Sequence, residues 1–122
     1  MERPFVFINA AMSVDGKIST VKGTQTRISG IEDLDRVDSL RAESDAIMVG
    51  IGTVLADNPS LTVKSKKRRE ERKAAGKEEN PLRVVVDSTA RTPIDAELLQ
   101  KGEGKRIIAV SQRAIVEDVD RL

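Results

Sequence analysis

The sequence predicts an α/β fold: a mainly parallel central sheet flanked by helices. Three observations lead there. Short apolar runs, most of them rich in β-branched residues, recur at 5–10, 46–49, 82–86 and 106–110. Helix-period segments or long polar connections separate them, which suits crossovers better than hairpins. Each run ends in small or polar residues, and in parallel sheets ligands sit beyond the carboxyl ends of the strands.

Residues 5–10 (FVFINA) read as a buried strand, with Pro4 just outside it. Asp15-Gly16 is a turn signal within 12–18, and 19–29 is polar and irregular. Ser29 stands three residues before Glu32, the spacing of a capping box. Ile31, Leu34, Val37 and Leu40 then form one apolar stripe, which predicts a helix over 31–43. Residues 46–49 (AIMV) predict a central strand ending at Gly50, and 53–56 a short helical turn closed by Asp57-Asn58-Pro59. Residues 61–63 (LTV) predict a short extended piece. Strands follow at 82–86 (LRVVV) and 106–110 (RIIAV). Ile115, Val119 and Leu122 begin the face of a core-directed helix.

Between these elements, 64–73 holds seven basic and two acidic side chains, a net of +5. With almost no apolar residue, 64–80 is expected to form a solvated loop or short exposed helix, inserted into the domain and unable to pack. Clustered Lys and Arg can also bind nucleic-acid phosphates. No aromatic residue is interleaved for base stacking, so a nucleic-acid partner is the weaker reading.

Overall charge is +1, which favours neither nucleic acid nor membrane. With 2% aromatic residues, the core must be built from Ile, Val, Leu, Ala and Met. The sequence has no Cys and no His, which excludes disulfides, a Cys/His zinc site and Ser-His or Cys-His catalytic pairs. No run approaches membrane-spanning length, and the expected location is the cytoplasm.

Four strand ends are the places to look for ligands: 9–12, 50–53, 87–91 and Ser111. Gly50-Ile51-Gly52-Thr53 lets the backbone approach an anion, although the same residues make an ordinary turn. Residues 87–93 (DSTARTP) combine hydroxyls with a guanidinium, chemistry suited to a phosphate, or equally to an Asx or Ser/Thr turn before Pro93. Asp57 can accept from ribose or amide groups, or simply end the helical turn. Arg41 lies beside the apolar stripe, either as a partly buried guanidinium or as a surface side chain.

Read in order, residues 11–18 (AMSVDGKI), 39–48 (SLRAESDAIM), 50–63 (GIGTVLADNPSLTV) and 83–93 (RVVVDSTARTP) resemble the reductase domain of riboflavin biosynthesis. The likeness is to the stand-alone archaeal-type 2,5-diamino-6-ribosylamino-4(3H)-pyrimidinone 5′-phosphate reductases. It covers nearly all of 4–111 except the basic run. The resemblance implies a dihydrofolate-reductase-like fold and NADPH-dependent reduction of a ribosylamino side chain to ribitylamino. It implies cofactor contacts at Thr53, Asp57, Ser88, Thr89, Ala90 and Arg91. It implies substrate contacts at Arg41, Leu61 and Lys64, with Gln25 and Arg27 on a loop lining the same cleft. Asn9 and Asp15 fall where the first strand-end loop covers nicotinamide and substrate. The implied partners are a phosphorylated pyrimidine substrate and a second copy in a homodimer. Another NADPH reductase of the same fold, acting on dihydrofolate, is the alternative; Arg41 and Lys64 favour a phosphorylated substrate. The family's glycine-rich EGGGTL-like cofactor segment is not among these residues, and the last helix has no C-terminal cap signal. The expectation is therefore a protein that continues past Leu122.

Overall fold

The computed structural model describes residues 3–10 and 30–122. The strands are β1 (Ala46–Gly50), β2 (Leu82–Val86) and β3 (Arg106–Ala109). The helices are α1 (Ile31–Glu43), α2 (Ile51–Asp57), α3 (Lys66–Ala74), α4 (Glu97–Gln100) and α5 (Val116–Arg121). The described strands form one sheet in the order β1-β2-β3, with both pairs parallel. Gly50, Val86 and Ala109 lie in register, so the three carboxyl ends are level along one edge.

Alternation along the strands turns Val49, Val85 and Ile108 to the same face. There they meet Ile51 and Val54 of α2, Ala96, and Leu98 and Leu99 of α4. Val85 and Leu98 are fully buried, each contributing roughly 1.5–3 kcal/mol of apolar burial. On the opposite face Met48, Val86 and Ile107 remain exposed. The parallel α/β reading is thus correct, but the described elements cover the sheet on one side only. Both faces are apolar in sequence, so alternation alone does not tell which one receives a partner.

Several local expectations change. Residues 5–10 form no strand, and Phe5 and Ile8 are each 90% exposed. Composition marks a segment suited to a ladder but supplies no neighbouring edge, and no described strand pairs with it. The N-cap of α1 is Gly30, without a side-chain cap bond; Ser29 of the expected capping box lies outside the described residues. The buried residue of α1 is Asp38, while Ile31 and Leu34 of the apolar stripe are exposed. Residues 61–63 are buried coil rather than an extended piece, because Leu61 has a φ of 59° and turns the chain. The expected core-directed face of α5 is open, with Ile115, Val119 and Leu122 exposed. Helix α4, at four residues, is too short for its period to show in the sequence.

The basic segment takes one of its two expected forms, a short and mostly exposed helix, but against expectation it also packs. It forms α3, capped by Ser65, whose hydroxyl accepts from the Arg68 N–H at 3.3 Å. It packs on α1 through guanidinium groups instead of apolar ones. Arg72 is buried and donates to the carbonyls of Ala42 (2.7 Å), Ser44 (3.0 Å) and Glu78 (2.8 Å). Carbonyls at the end of α1 are unpaired acceptors that attract cations. A segment without apolar residues can therefore dock where another helix ends.

Candidate functional site

The residues singled out in the sequence fall into two groups, at opposite ends of the strands. The first lies at the carboxyl edge. Gly50 ends β1 and is the N-cap of α2, with Gly52 and Thr53 exposed just beyond it. A Cβ built on Gly52 meets no protein atom within 4 Å, so the turn is open to a ligand. Asp57, the last residue of α2, is also exposed. Asn58 adopts the left-handed conformation and its Oδ1 accepts the Glu97 N–H at 2.9 Å, tying this turn to the start of α4.

Beyond β2, Asp87 is completely buried and shapes the loop that follows. Its Oδ2 accepts from the N–H (2.7 Å) and hydroxyl (2.6 Å) of Thr92. Burial is the largest single influence and raises the carboxyl, but bonds from Thr92 and the Arg91 N–H, with the Arg91 charge, outweigh it. The result is a pKa below the usual carboxylate range. Ala90 turns the loop at a φ of 56° and is buried, so its side chain is unavailable to a ligand. Its carbonyl accepts from Arg121 of α5 at 3.2 Å. The Ser88 carbonyl accepts from the Ser111 hydroxyl at 2.9 Å. Ser88 and Arg91 stay exposed and Thr89 half-buried. The loop is thus held from beneath by buried bonds while hydroxyl and guanidinium remain free to face a ligand.

The second group lies by the amino ends of the strands. Arg41 is in the last turn of α1, just before β1. Residues 60–64 run past Asn80, which precedes β2: its Oδ1 accepts the Val63 N–H at 2.8 Å, and its amide donates to the Glu103 carbonyl at 2.9 Å. Lys64 Nζ donates to the buried hydroxyls of Ser60 and Thr62, the latter at 2.8 Å. Burial lowers the Lys64 pKa first; Arg41 and Lys101 lower it further, with Asp38 and Glu97 opposing. Burial lowers that of Arg41 too, with Asp38 opposing. Neither Arg41 nor Lys64 forms an ion pair among the described residues. Thr62, Lys64, Arg69, Glu79, Asn80 and Lys101 are among the residues lining a cavity of about 330 Å³. An anion beside Lys64 would offset the repulsion it receives from Arg41 and Lys101.

This arm rests on Arg83, the fully buried guanidinium of β2. It donates to the carbonyls of Ser60 (3.3 Å), Lys101 (2.5 Å), Gly102 (3.2 Å) and Glu103 (3.1 Å). Burial, with the neighbouring charge of Arg106, lowers its pKa to about 10. It stays charged at neutral pH, compensated by carbonyl dipoles.

Leu61 is buried, so its side chain is not exposed to a substrate. Asn9 is exposed, and its Oδ1 accepts from Arg36 of α1 at 2.9 Å. Asp15, Gln25 and Arg27 lie outside the described residues. Sequence reasoning missed Asp38, Ser60, Thr62 and Lys101, because a single polar residue in a polar stretch gives no periodic signal. Among the described residues, no group of three or more metal-ligating side chains occurs, and no helix is long and apolar enough to cross a membrane.

Among the described residues, a parallel α/β sheet carries hydroxyls and a guanidinium beyond its carboxyl edge, the place where ligands of such sheets sit. Residues 4–122 match the RibD C-terminal domain, and the chain belongs to that family. It is 61% identical over 117 residues to 2,5-diamino-6-ribosylamino-4(3H)-pyrimidinone 5′-phosphate reductase of Archaeoglobus fulgidus, covering 96% of this chain and 53% of that protein. The protein of the same name from Methanothermobacter thermautotrophicus is 52% identical over 120 residues, covering 98% and 51%. The chain thus spans about half the length of these curated relatives. Among solved structures, RibD of Acinetobacter baumannii superposes with a TM-score of 0.70 at 28% identity, covering 91% of this chain and 29% of that one. A Thermotoga maritima structure, described as a diaminohydroxyphosphoribosylaminopyrimidine deaminase/5-amino-6-(5-phosphoribosylamino)uracil reductase, gives 0.67 at 30% identity, covering 86% and 27%. The dihydrofolate-reductase-like fold expected from the sequence agrees with these neighbours.

Proposed function

We propose that this chain carries the NADPH and substrate-phosphate contacts of a reductase that converts the ribosylamino side chain of a diaminopyrimidinone 5′-phosphate to ribitylamino in riboflavin biosynthesis. The observation that carries this reading is Lys64, a cation without an ion pair among the described residues, whose ammonium is seated on Ser60 and Thr62, with the charge of Arg41 also acting on it. A 5′-phosphate supplies the charge this cluster attracts, and dihydrofolate has no such group. Thr53, Asp57, Ser88, Thr89 and Arg91 are assigned to the cofactor. Their exposed hydroxyls and guanidinium suit the adenosine 2′-phosphate that distinguishes NADPH from NADH.

When bound, NADPH supplies the hydride that reduces C1′ of the opened sugar. The residues of this chain bind and orient. The Asp87-braced loop holds the adenosine end, while Arg41 and Lys64 anchor the substrate phosphate. Fixing both ends limits the relative motion of donor carbon and acceptor carbon, which is the main contribution a protein makes to such a transfer.

The nucleic-acid reading loses support from α3 itself. Lys66, Lys67 and Lys73 stand within 4.0 Å of Glu70, Glu71 and Glu79, and Arg68 and Arg72 point inward. A cytoplasmic location follows from the proposal, since NADPH and phosphorylated intermediates are held there. A homodimer is part of it too, supported by the exposed apolar residues Met48, Val86 and Ile107. The test is NADPH oxidation by the protein with the pyrimidinone 5′-phosphate against dihydrofolate. Turnover of the phosphate ester alone is expected. Equal or better use of dihydrofolate would overturn the substrate assignment.

A further inference from the structure

Apart from Lys64, the basic segment 64–80 has no part in the function proposed above, yet it is bound closely to the arm that carries Lys64. Asp38 of α1 is 6% exposed and takes three donors from that segment. Its Oδ1 accepts the Lys64 N–H at 2.6 Å, and its Oδ2 accepts the Ser65 N–H at 3.2 Å and Arg68 Nη1 at 2.9 Å. Arg68 also reaches Asp35 Oδ1 at 3.0 Å. Arg69 Nη1 donates to the carbonyls of Val63 and Lys64, both at 2.8 Å, so the main chain at Lys64 is held through its N–H and its C=O. Arg72 meanwhile holds the carbonyls of Ala42 and Ser44, directly after Arg41. One nine-residue helix thus holds the main chain at Lys64 and the end of α1 just after Arg41.

We propose that Asp38 is a positioning residue for the substrate phosphate, acting through Lys64, and that α3 is the brace that holds it. The proposal rests on Lys64 and Arg41 receiving that phosphate. A long lysine side chain loses considerable freedom on binding an anion. Holding its backbone on both sides and seating its ammonium on Ser60 and Thr62 meets much of that cost beforehand. Asp38 itself sits within α1 and is turned toward the main chain of Lys64 and Ser65 and the Arg68 guanidinium. An acidic side chain in direct contact with a phosphate would repel it strongly, whereas one set back behind Lys64 and paired with Arg68 repels it less.

The probe is ribose 5-phosphate, which carries the phosphate and sugar without the reacting base. Its binding to the protein is measured by calorimetry for the unaltered chain, Lys64→Ala, Asp38→Asn and the double variant, with NADPH titrated in parallel. Lys64→Ala is expected to abolish most ribose 5-phosphate binding. Asp38→Asn is expected to weaken it about tenfold, the scale of coupling within one hydrogen-bond network, with NADPH affinity changed less than about twofold on the same scale. In the Lys64→Ala background, Asp38→Asn should cost nothing further. An equal loss in both backgrounds, or a parallel loss of NADPH affinity, would show a merely structural role and defeat the proposal. Unchanged binding in Asp38→Asn would also defeat it. If the unaltered chain fails to bind the probe, or Lys64→Ala binds normally, the phosphate assignment itself is wrong. Should Asp38→Asn fail to fold, Arg68→Gln leaves both main-chain bonds to Asp38 in place and carries the same cycle. Arg68→Lys is then expected to restore part of the lost affinity.

Discussion

Asp38 and Lys64 are 26 residues apart in the chain, and the carboxylate of the first accepts the main-chain N–H of the second at 2.6 Å. This bond joins α1 to the arm leading into α3, and Asp38, like Asp87, contributes to the acid response of the fold. Burial is the largest influence on Asp38 and raises its pKa, but Lys64, Arg68 and Ser65 together hold it below the usual carboxylate range. A carboxylate with a depressed folded pKa contributes stability above its unfolded pKa and loses it as pH falls through the folded value. The charged groups around it are Arg68, Arg41, Lys64 and Asp35. Asp38→Asn should therefore lower stability at neutral pH by about 1–3 kcal/mol and flatten its decline below the unfolded pKa. Urea midpoints measured across the acid range check this. An acid slope identical to that of the unaltered chain would contradict it.

Arg91 is predicted to read the cofactor phosphate. Its guanidinium is exposed on a loop held by Asp87 and Thr92. Arg91→Ala should weaken NADPH more than NADH, by about 1.5–3 kcal/mol for a charge-assisted bond. Fluorescence titration with both cofactors decides it, and equal losses would remove Arg91 from that role.

Arg83 and the 101–104 loop give a stability prediction. Lysine keeps the charge but cannot reach four carbonyls in one plane as the guanidinium does. Arg83→Lys should destabilise by about 1–3 kcal/mol, the usual cost of buried acceptors left without donors. Thermal melts at fixed pH measure it; a melting temperature equal to that of the unaltered chain would show the carbonyl cage to be dispensable.

Gly102 tests the contact between that loop and the phosphate arm. It has a φ of 71°, and an added Cβ would lie 2.7 Å from Thr62 Cγ2 and 2.9 Å from Asn80 Nδ2. Gly102→Ala combines backbone strain with a clash and should cost about 1–3 kcal/mol. Because Thr62 supports Lys64, ribose 5-phosphate affinity should fall as well. Retention of both stability and affinity would mean that the arm adjusts freely.

By itself the sequence determined the features that repeat over short distances. Short apolar runs, most of them rich in β-branched residues, located the strands at 46–49, 82–86 and 106–110, and a spacing of three located α1. Their order led to a parallel sheet with polar residues at its carboxyl edge. Tertiary structure alone decided what depends on partners far along the chain. Asp38 is buried because Arg68 lies 30 residues away, and Arg83 is tolerated in the interior because carbonyls of a later loop surround it. Leu61 and Ala90 take positive φ values that neither residue prefers, which local sequence cannot announce. The basic segment read as unable to pack for the same reason: apolar periodicity records what a helix offers to a hydrophobic core. It does not record that another helix ends nearby, with carbonyls and a carboxylate that accept from guanidinium and main-chain N–H groups.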